Sequence, residues 1–237
     1  MLMTPALVVT NLSKTFPKSD VVAVKDLSFS LQKGEILGLL GPNGAGKTTT
    51  IKMLISILTP SAGQISYFGK DLDTHRSEIL TKVGYASTYT NLPLYLSVWE
   101  NLEIHGLLYG MNKQVRVDRI NSLLDQLDIS ELAERRVSQL SAGQKTLVML
   151  IKAFLPNPEV VLLDEPTASL DPDVSVKIRE FVALQRKENN SAILYTSHNM
   201  REVSLLCDRV LFLKNGAAIA FAVSGLHHDA RRLFRGS

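Results

Sequence analysis

A single cysteine, Cys207, among 237 residues excludes an internal disulfide, and its neighbours Val203, Leu205, Leu206 and Val210 suggest a packed thiol in a reducing compartment. No apolar run approaches the roughly 20 residues of a membrane-spanning helix. Leu2 to Val9 is short, broken by Pro5 and lacks a basic leader, so no secretory signal pattern opens the chain and a protein soluble by itself is expected. Lysine and arginine number 26 against 23 aspartate and glutamate, a net charge of +3 with no basic stripe of the kind that argues for nucleic acid. Repeats, low-complexity linkers and an Asn-Lys-x-Asp guanine signature are all missing, the last disfavouring a small GTPase. An apolar content of 45% suits a folded enzyme with one composite core rather than a disordered binder.

What is present begins with Gly41-Pro42-Asn43-Gly44-Ala45-Gly46-Lys47-Thr48-Thr49, which fits the phosphate-loop pattern G-x-x-x-x-G-K-[ST]. It follows a strand-like apolar run, Ile36 to Leu40, and precedes an amphipathic helix expected over about Lys47 to Leu58. Glycines 41, 44 and 46 let consecutive backbone N–H groups converge on a β-phosphate, aided by the positive end of the helix dipole. Lys47 adds a point charge at the β- and γ-phosphates, and the Thr48 hydroxyl is placed to ligate a bridging Mg²⁺.

Such a loop needs a carboxylate at the end of another strand. Val160-Val161-Leu162-Leu163 reads as a buried parallel strand, and Asp164-Glu165 closes it. Adjacent acids at a strand end repel unless a cation and a proton-transfer task occupy them. Asp164 is expected to hold Mg²⁺ through water. Glu165 is expected to orient and polarise the attacking water, a role that contributes about 10²- to 10⁴-fold.

Leu140-Ser141-Ala142-Gly143-Gln144 has two compatible readings. Ser-x-x-Gln is a capping box, with Ser141 as N-cap of a helix reaching about Leu155 before Pro156 and Pro158 break it. A helix N-terminus with free N–H groups is also an anion site.

Taken in order, the phosphate loop, LSAGQ at 140–144, Asp164-Glu165, Ser169-Leu170-Asp171 and Thr196-Ser197-His198 resemble the ATP-binding-cassette (ABC) ATPases over most of the chain. The resemblance implies a head-to-tail dimer in which Ser141, Gly143 and Gln144 of one copy close over ATP on the Lys47 loop of the other. It makes His198 the histidine that meets the γ-phosphate and attacking water, and places Ser169 and Asp171 at the interface that couples the two sites. Asp171 also reads as the N-cap of a helix opened by Pro172. Phe16, in Leu12-Ser13-Lys14-Thr15-Phe16, matches the aromatic that stacks on adenine; a core aromatic at a strand end is the alternative. His75, His105, His227 and His228 are expected to have no such role.

Two positions depart from the family pattern. Members place a magnesium-contacting glutamine after a strand resembling Val83-Gly84-Tyr85-Ala86, but no glutamine occurs between Gln64 and Gln114. Thr88 falls at the matching place as a metal ligand, with Ser87 and Asn91 as alternatives. Leu147 stands where many relatives have arginine, and Ala142 where glycine is common.

The fold expected is α/β: a P-loop NTPase with a doubly wound, mainly parallel sheet, an antiparallel β subdomain over about 1–35 and 62–70, and a helical lobe over about 88–158 carrying the signature, all in one domain. Strands are expected near 36–40, 82–86, 160–163, 192–196 and 209–213, with a hairpin turn at Lys214-Asn215-Gly216. Ala217 to Val223 is small and apolar, and the basic stretch with Arg231, Arg232 and Arg235 reads as a solvated tail, lipid or partner contact being the alternative. By resemblance the chain is the ATP-hydrolysing subunit of an exporter at the cytoplasmic face of a membrane. Its expected partners are a separate transmembrane permease and a second copy of itself or a paralogue, with no nucleic acid. The permease is expected to dock near Thr88 to Glu100, with Tyr95 and Trp99 as candidates against ordinary helix packing. A slow, ATP-gated dimerisation module and a soluble non-transport ABC ATPase are the rival readings.

Overall fold

Alternating burial along Leu7–Phe16 and Val21–Leu31 makes these segments a pair of antiparallel strands, β1 and β2, in the computed structural model, which describes residues 4–17, 20–87 and 92–223. The wholly buried run Ile36–Leu40 is β3 and feeds helix α1, Lys47–Leu54. Strands β4 (Ala62–Tyr67) and β5 (Lys70–Asp71), helix α2 (Arg76–Leu80) and strand β6 (Val83–Ser87) follow. Helices α3 (Val98–Leu108), α4 (Lys113–Gln126) and α5 (Ala142–Phe154) form the helical lobe. Strand β7 (Val160–Asp164), helix α6 (Pro172–Asn189), strand β8 (Ala192–Ser197), helix α7 (Met200–Leu206) and the hairpin of β9 (Arg209–Lys214) and β10 (Ala217–Val223) complete the chain.

Two sheets form among the described residues. One is antiparallel, in the order β2-β1-β4-β5; the other runs β10-β9-β3-β8-β7-β6 and is parallel except for β10 at its edge. This is the doubly wound arrangement expected from the sequence. Period-2 alternation divides its interior in two. Leu37 and Leu39, Val160 and Leu162, and Ala192 and Leu194 face α1 and the antiparallel sheet, whereas Ile36 and Leu40, Val161 and Leu163, and Ile193 and Tyr195 face the helical lobe, α6 and α7. β3, β8 and β7 are consecutive neighbours, so their carboxyl ends, where such sheets bind ligands, lie side by side.

Helix α1 stops at Leu54, four residues short of the expected end. Ser56 takes a left-handed φ of 58°, and the N–H groups of Ile57 and Leu58 both fold back to the Lys52 carbonyl at 2.9 and 3.0 Å. Thr59 precedes Pro60, which disfavours helix there in any case. At the start of α6, Asp171 occupies the N-cap position, but its side chain makes no capping bond. The Asp171 carbonyl instead accepts from the Ser175 N–H and Oγ at 3.0 and 3.1 Å, and Pro172 sets the first helical φ. Ordinary packing describes Trp99, which lies against the core and donates to Glu103, but not Tyr95, which is 86% exposed. Leu147 is buried in the hydrophobic core of α5. Cys207 is buried as expected, and burial pushes its thiol pKa up.

Candidate functional site

The loop after β3 curls tightly against its neighbours. Gly46 has φ 101°, and a Cβ there would lie 2.4 Å from the Ala23 carbonyl oxygen; at Gly41 a Cβ would lie 2.4 Å from the Leu213 oxygen. The loop is also pinned from outside, because Gly216 of the β9–β10 turn donates its N–H to Ala45 and accepts from the Lys25 N–H. Gly46 is the N-cap of α1, so the free N–H groups of that helix open into a cavity of about 580 Å³ over Gly44, Lys47, Thr48 and Thr49. The same cavity runs past Val21 and Val22 to Asn215. Phe16 is the strand partner of Val21 at the hairpin tip and lies partly exposed, with Lys14 over its ring at 5.6 Å, so it is not a core aromatic.

Lys47 is almost wholly buried. Its ammonium donates to the carbonyls of Gly41 and Pro42 at 2.6 and 3.0 Å and pairs with Glu165 Oε1 at 3.0 Å. Glu165 follows β7 with φ 50°, which turns its side chain back towards the loop, and its other oxygen meets His198 Nδ1 at 2.8 Å. Burial opposes ionisation of Glu165, but Lys47 and His198 outweigh it and hold the carboxyl below its usual pKa.

Asp164 has no exposed surface, and the strand register sets it beside Thr196 on β8 and Ser87 on β6. Its Oδ1 accepts from Thr196 Oγ1 at 2.9 Å and Thr48 Oγ1 at 3.2 Å, while Oδ2 is buried without a hydrogen-bond partner. Burial raises the Asp164 pKa, the two hydroxyls lower it, and the neighbouring Glu165 charge raises it again, for a net upward shift. An orphaned carboxylate oxygen next to a threonine hydroxyl on the loop helix fits a hard divalent cation. Thr88 and Asn91 lie outside the described residues; of the three positions considered for the missing glutamine, Ser87 alone lies within them.

Ser141 and Gln144 form the expected capping box: Ser141 Oγ accepts from the Gln144 N–H at 3.2 Å, and Gln144 Oε1 accepts from the Ser141 N–H at 3.0 Å. Gly143 faces Val174 near the start of α6, where a Cβ would meet the valine at 3.5 Å. The cavity over Lys47 is not lined by Ser141, Gly143 or Gln144 among the described residues, nor by Ser169 or Asp171. One chain therefore gathers Lys47, Thr48, Asp164, Glu165 and His198 and leaves the signature elsewhere. Ser169, with φ 60°, instead borders a second cavity of about 460 Å³ behind His198.

Sequence reasoning named Thr196 only as part of an ordered pattern, yet its hydroxyl bridges the acids, donating to Asp164 and accepting from the Glu165 N–H at 3.0 Å. Glu202 was missed altogether. It is buried and accepts from Tyr195 and Ser197. The polar alternation at the end of β8 was the available signal.

A family model described as ABC transporter matches residues 24–168. The chain is 38% identical over 213 residues to the ABC transporter ATP-binding protein NatA of Bacillus subtilis, covering 89% of this chain and 86% of that protein. It is 37% identical over 214 residues to the Nod factor export ATP-binding protein I of Burkholderia lata, covering 89% of this chain and 68% of that one. Among solved structures it resembles cbiO1 from Clostridium perfringens, part of the ABC transporter complex cbiONQ, with a TM-score of 0.85 and 26% identity over 98% of this chain and 94% of that one.

Proposed function

Because this chain belongs to the ABC transporter family, in which it is an ATP-binding, ATP-hydrolysing subunit, we propose that it powers a separate membrane permease of an exporter through ATP-driven closure of a head-to-tail dimer. The observation that carries the reading is the meeting of Lys47, Glu165 and His198 within 3.0 Å contacts beside the loop cavity. ATP lies with its phosphates over Gly41 to Thr49 and its adenine against Phe16. Thr48 and Asp164 would hold Mg²⁺, with Thr88 proposed from the sequence alone as a further ligand, and the ion would supply positive charge against the phosphates. Lys47 leaves Glu165 for the γ-phosphate, and Glu165 is then free to accept the proton of the attacking water. His198 orients that water and the γ-phosphate. Ser141, Gly143 and Gln144 of a second copy supply the helix N-terminus that completes the site, with Ser169 and Asp171 at the join.

Export is supported by the Nod factor export relative. The likeness to ATP-binding subunits of membrane transporters supports a peripheral subunit on the cytoplasmic face, and no helix among the described residues is long and apolar enough to cross a membrane. The permease docks on the helical lobe, where Leu94, Tyr95, Ile104, Leu107 and Leu108 are exposed.

The test is the solution mass, by light scattering, of Glu165→Gln with Mg-ATP and with Mg-ADP. A dimer with ATP alone supports the closed sandwich. A monomer that still binds ATP overturns closure by this chain alone, and a chain that binds no ATP overturns the site.

A further inference from the structure

The end of β8 has two sides. Thr196 and His198 turn to the acids after β7, while Tyr195 and Ser197 turn to the opposite face, where α6 and α7 pack. There Glu202 receives both: Tyr195 Oη donates to Oε1 and Ser197 Oγ to Oε2, each at 2.8 Å. Glu202 is 5% exposed, and its ion pair with Arg179 is loose at 3.9 Å, so the two hydroxyls carry most of the compensation for burying the carboxylate.

The proton directions in this network are set. Ser197 Oγ already accepts the Asn199 N–H at 3.0 Å, and Tyr195 Oη lies 3.3 Å from Thr167 Oγ1. Burial, reinforced by the Glu202 charge, holds the Tyr195 phenol protonated. Each hydroxyl therefore has its hydrogen committed to Glu202 and a lone pair committed elsewhere. Beyond the network lies the cavity of about 460 Å³ bordered by Ser169, Leu170, His198 and Glu202, so close packing does not fix the histidine on that side.

We infer that Glu202 is a positioning residue for ATP hydrolysis: through Ser197 it holds the turn that presents His198 to Glu165, and through Tyr195 it ties that turn to Thr167 at the root of the 169–171 segment. The inference rests on the role proposed above for His198. A buried carboxylate is a costly way to fill space, since an apolar side chain of similar volume is often neutral or stabilising there. What it supplies instead is a fixed pair of acceptors linking two loops that border the same cavity beside His198. Glutamine is nearly the same shape, but its NH₂ arm would face a hydroxyl already donating in the opposite sense, so the network must rearrange.

The experiment is a double-mutant cycle on the full chain with Mg-ATP, comparing Glu202→Gln, His198→Ala and the pair, with Tyr195→Phe as a second, milder break in the same network. Turnover, KM and thermal melting are read together. The expected result is a kcat about tenfold to a hundredfold lower in Glu202→Gln, a smaller fall in Tyr195→Phe, and KM within about twofold of wild type. The double variant should be no slower than His198→Ala alone. Histidine ¹⁵N NMR of the nucleotide-free chain should show the His198 signal displaced in Glu202→Gln, a readout that needs no turnover. Wild-type kcat with an unmoved His198 signal, multiplicative losses in the double variant, or a fall in melting temperature that accounts for the lost rate would each overturn the inference. A His198→Ala chain hydrolysing at the wild-type rate is a separate result, which removes the proposed role of His198 itself.

Discussion

The Lys47 ammonium lies 3.0 Å from Glu165 Oε1 and is also held by two carbonyls of its own loop, so the lysine is turned inward onto the carboxylate. On the proposed reading, the γ-phosphate and Glu165 compete for one cation. If Lys47 moves to the phosphate as proposed, one of the two partners that depress the Glu165 pKa is withdrawn, His198 remaining, and Glu165 should become a stronger base when a base is required.

Glu165→Gln should therefore do two things. It should lower turnover by about 10²- to 10⁴-fold through loss of the base. ATP should also bind more tightly, because Lys47 no longer has a competing carboxylate beside it. Equilibrium binding of a fluorescent ATP analogue together with phosphate release checks both; weaker binding would contradict the competition.

Asp164 carries the opposite shift. Its pKa is raised in the folded chain, so the stability it contributes is present below the unfolded carboxylate pKa and is lost as pH rises through the folded value. Asp164→Asn should consequently melt higher than wild type near pH 8 without nucleotide, with the gap narrowing towards acid pH. Added Mg-ATP should raise wild-type melting more than that of the variant, since a bound cation would give the orphaned Oδ2 a partner. Differential scanning fluorimetry across pH, with and without Mg-ATP, reads both effects.

Ser141 has a structural and a proposed recognition role, and two substitutions separate them. Ser141→Ala removes the Oγ that accepts from Gln144 and should cost about 1 kcal/mol of stability. Ser141→Asp keeps a good N-cap but sets a negative charge where a γ-phosphate is proposed to bind, so melting should hold while ATP-dependent dimerisation in a Glu165→Gln background is lost. Light scattering and thermal melting on the two variants give the comparison.

Gly84 in β6 lets the signature-bearing helix α5 lie directly on the sheet: a Cβ there would fall 2.1 Å from the Ala153 carbonyl oxygen and 3.0 Å from Pro158 Cγ. A helix carbonyl cannot rotate aside, so Gly84→Ala should lower stability by about 1–3 kcal/mol or more. Urea unfolding measures it, and a midpoint equal to wild type would mean that α5 can lift without cost.

The primary sequence carried the phosphate loop, the acidic strand end, the capping box and the alternation of strands with helices. Each rests on neighbouring residues, and chemistry of that range is written in order along the chain: a left-handed glycine, a Ser-x-x-Gln box, four apolar residues closed by two acids. It carried the end of α1 less well, because the left-handed turn at Ser56 wins over an apolar pattern that continues to Leu58. Only the folded chain decided which side chains meet. The parallel register sets Thr196 beside Asp164, the φ of Glu165 turns it between Lys47 and His198, and the alternation at the end of β8 delivers Tyr195 and Ser197 to Glu202 on the far face. Those contacts join residues as much as 118 positions apart, the separation of Lys47 and Glu165. They exist because β3, β8 and β7 are neighbours in space, an order that sheet pairing sets and local sequence does not contain.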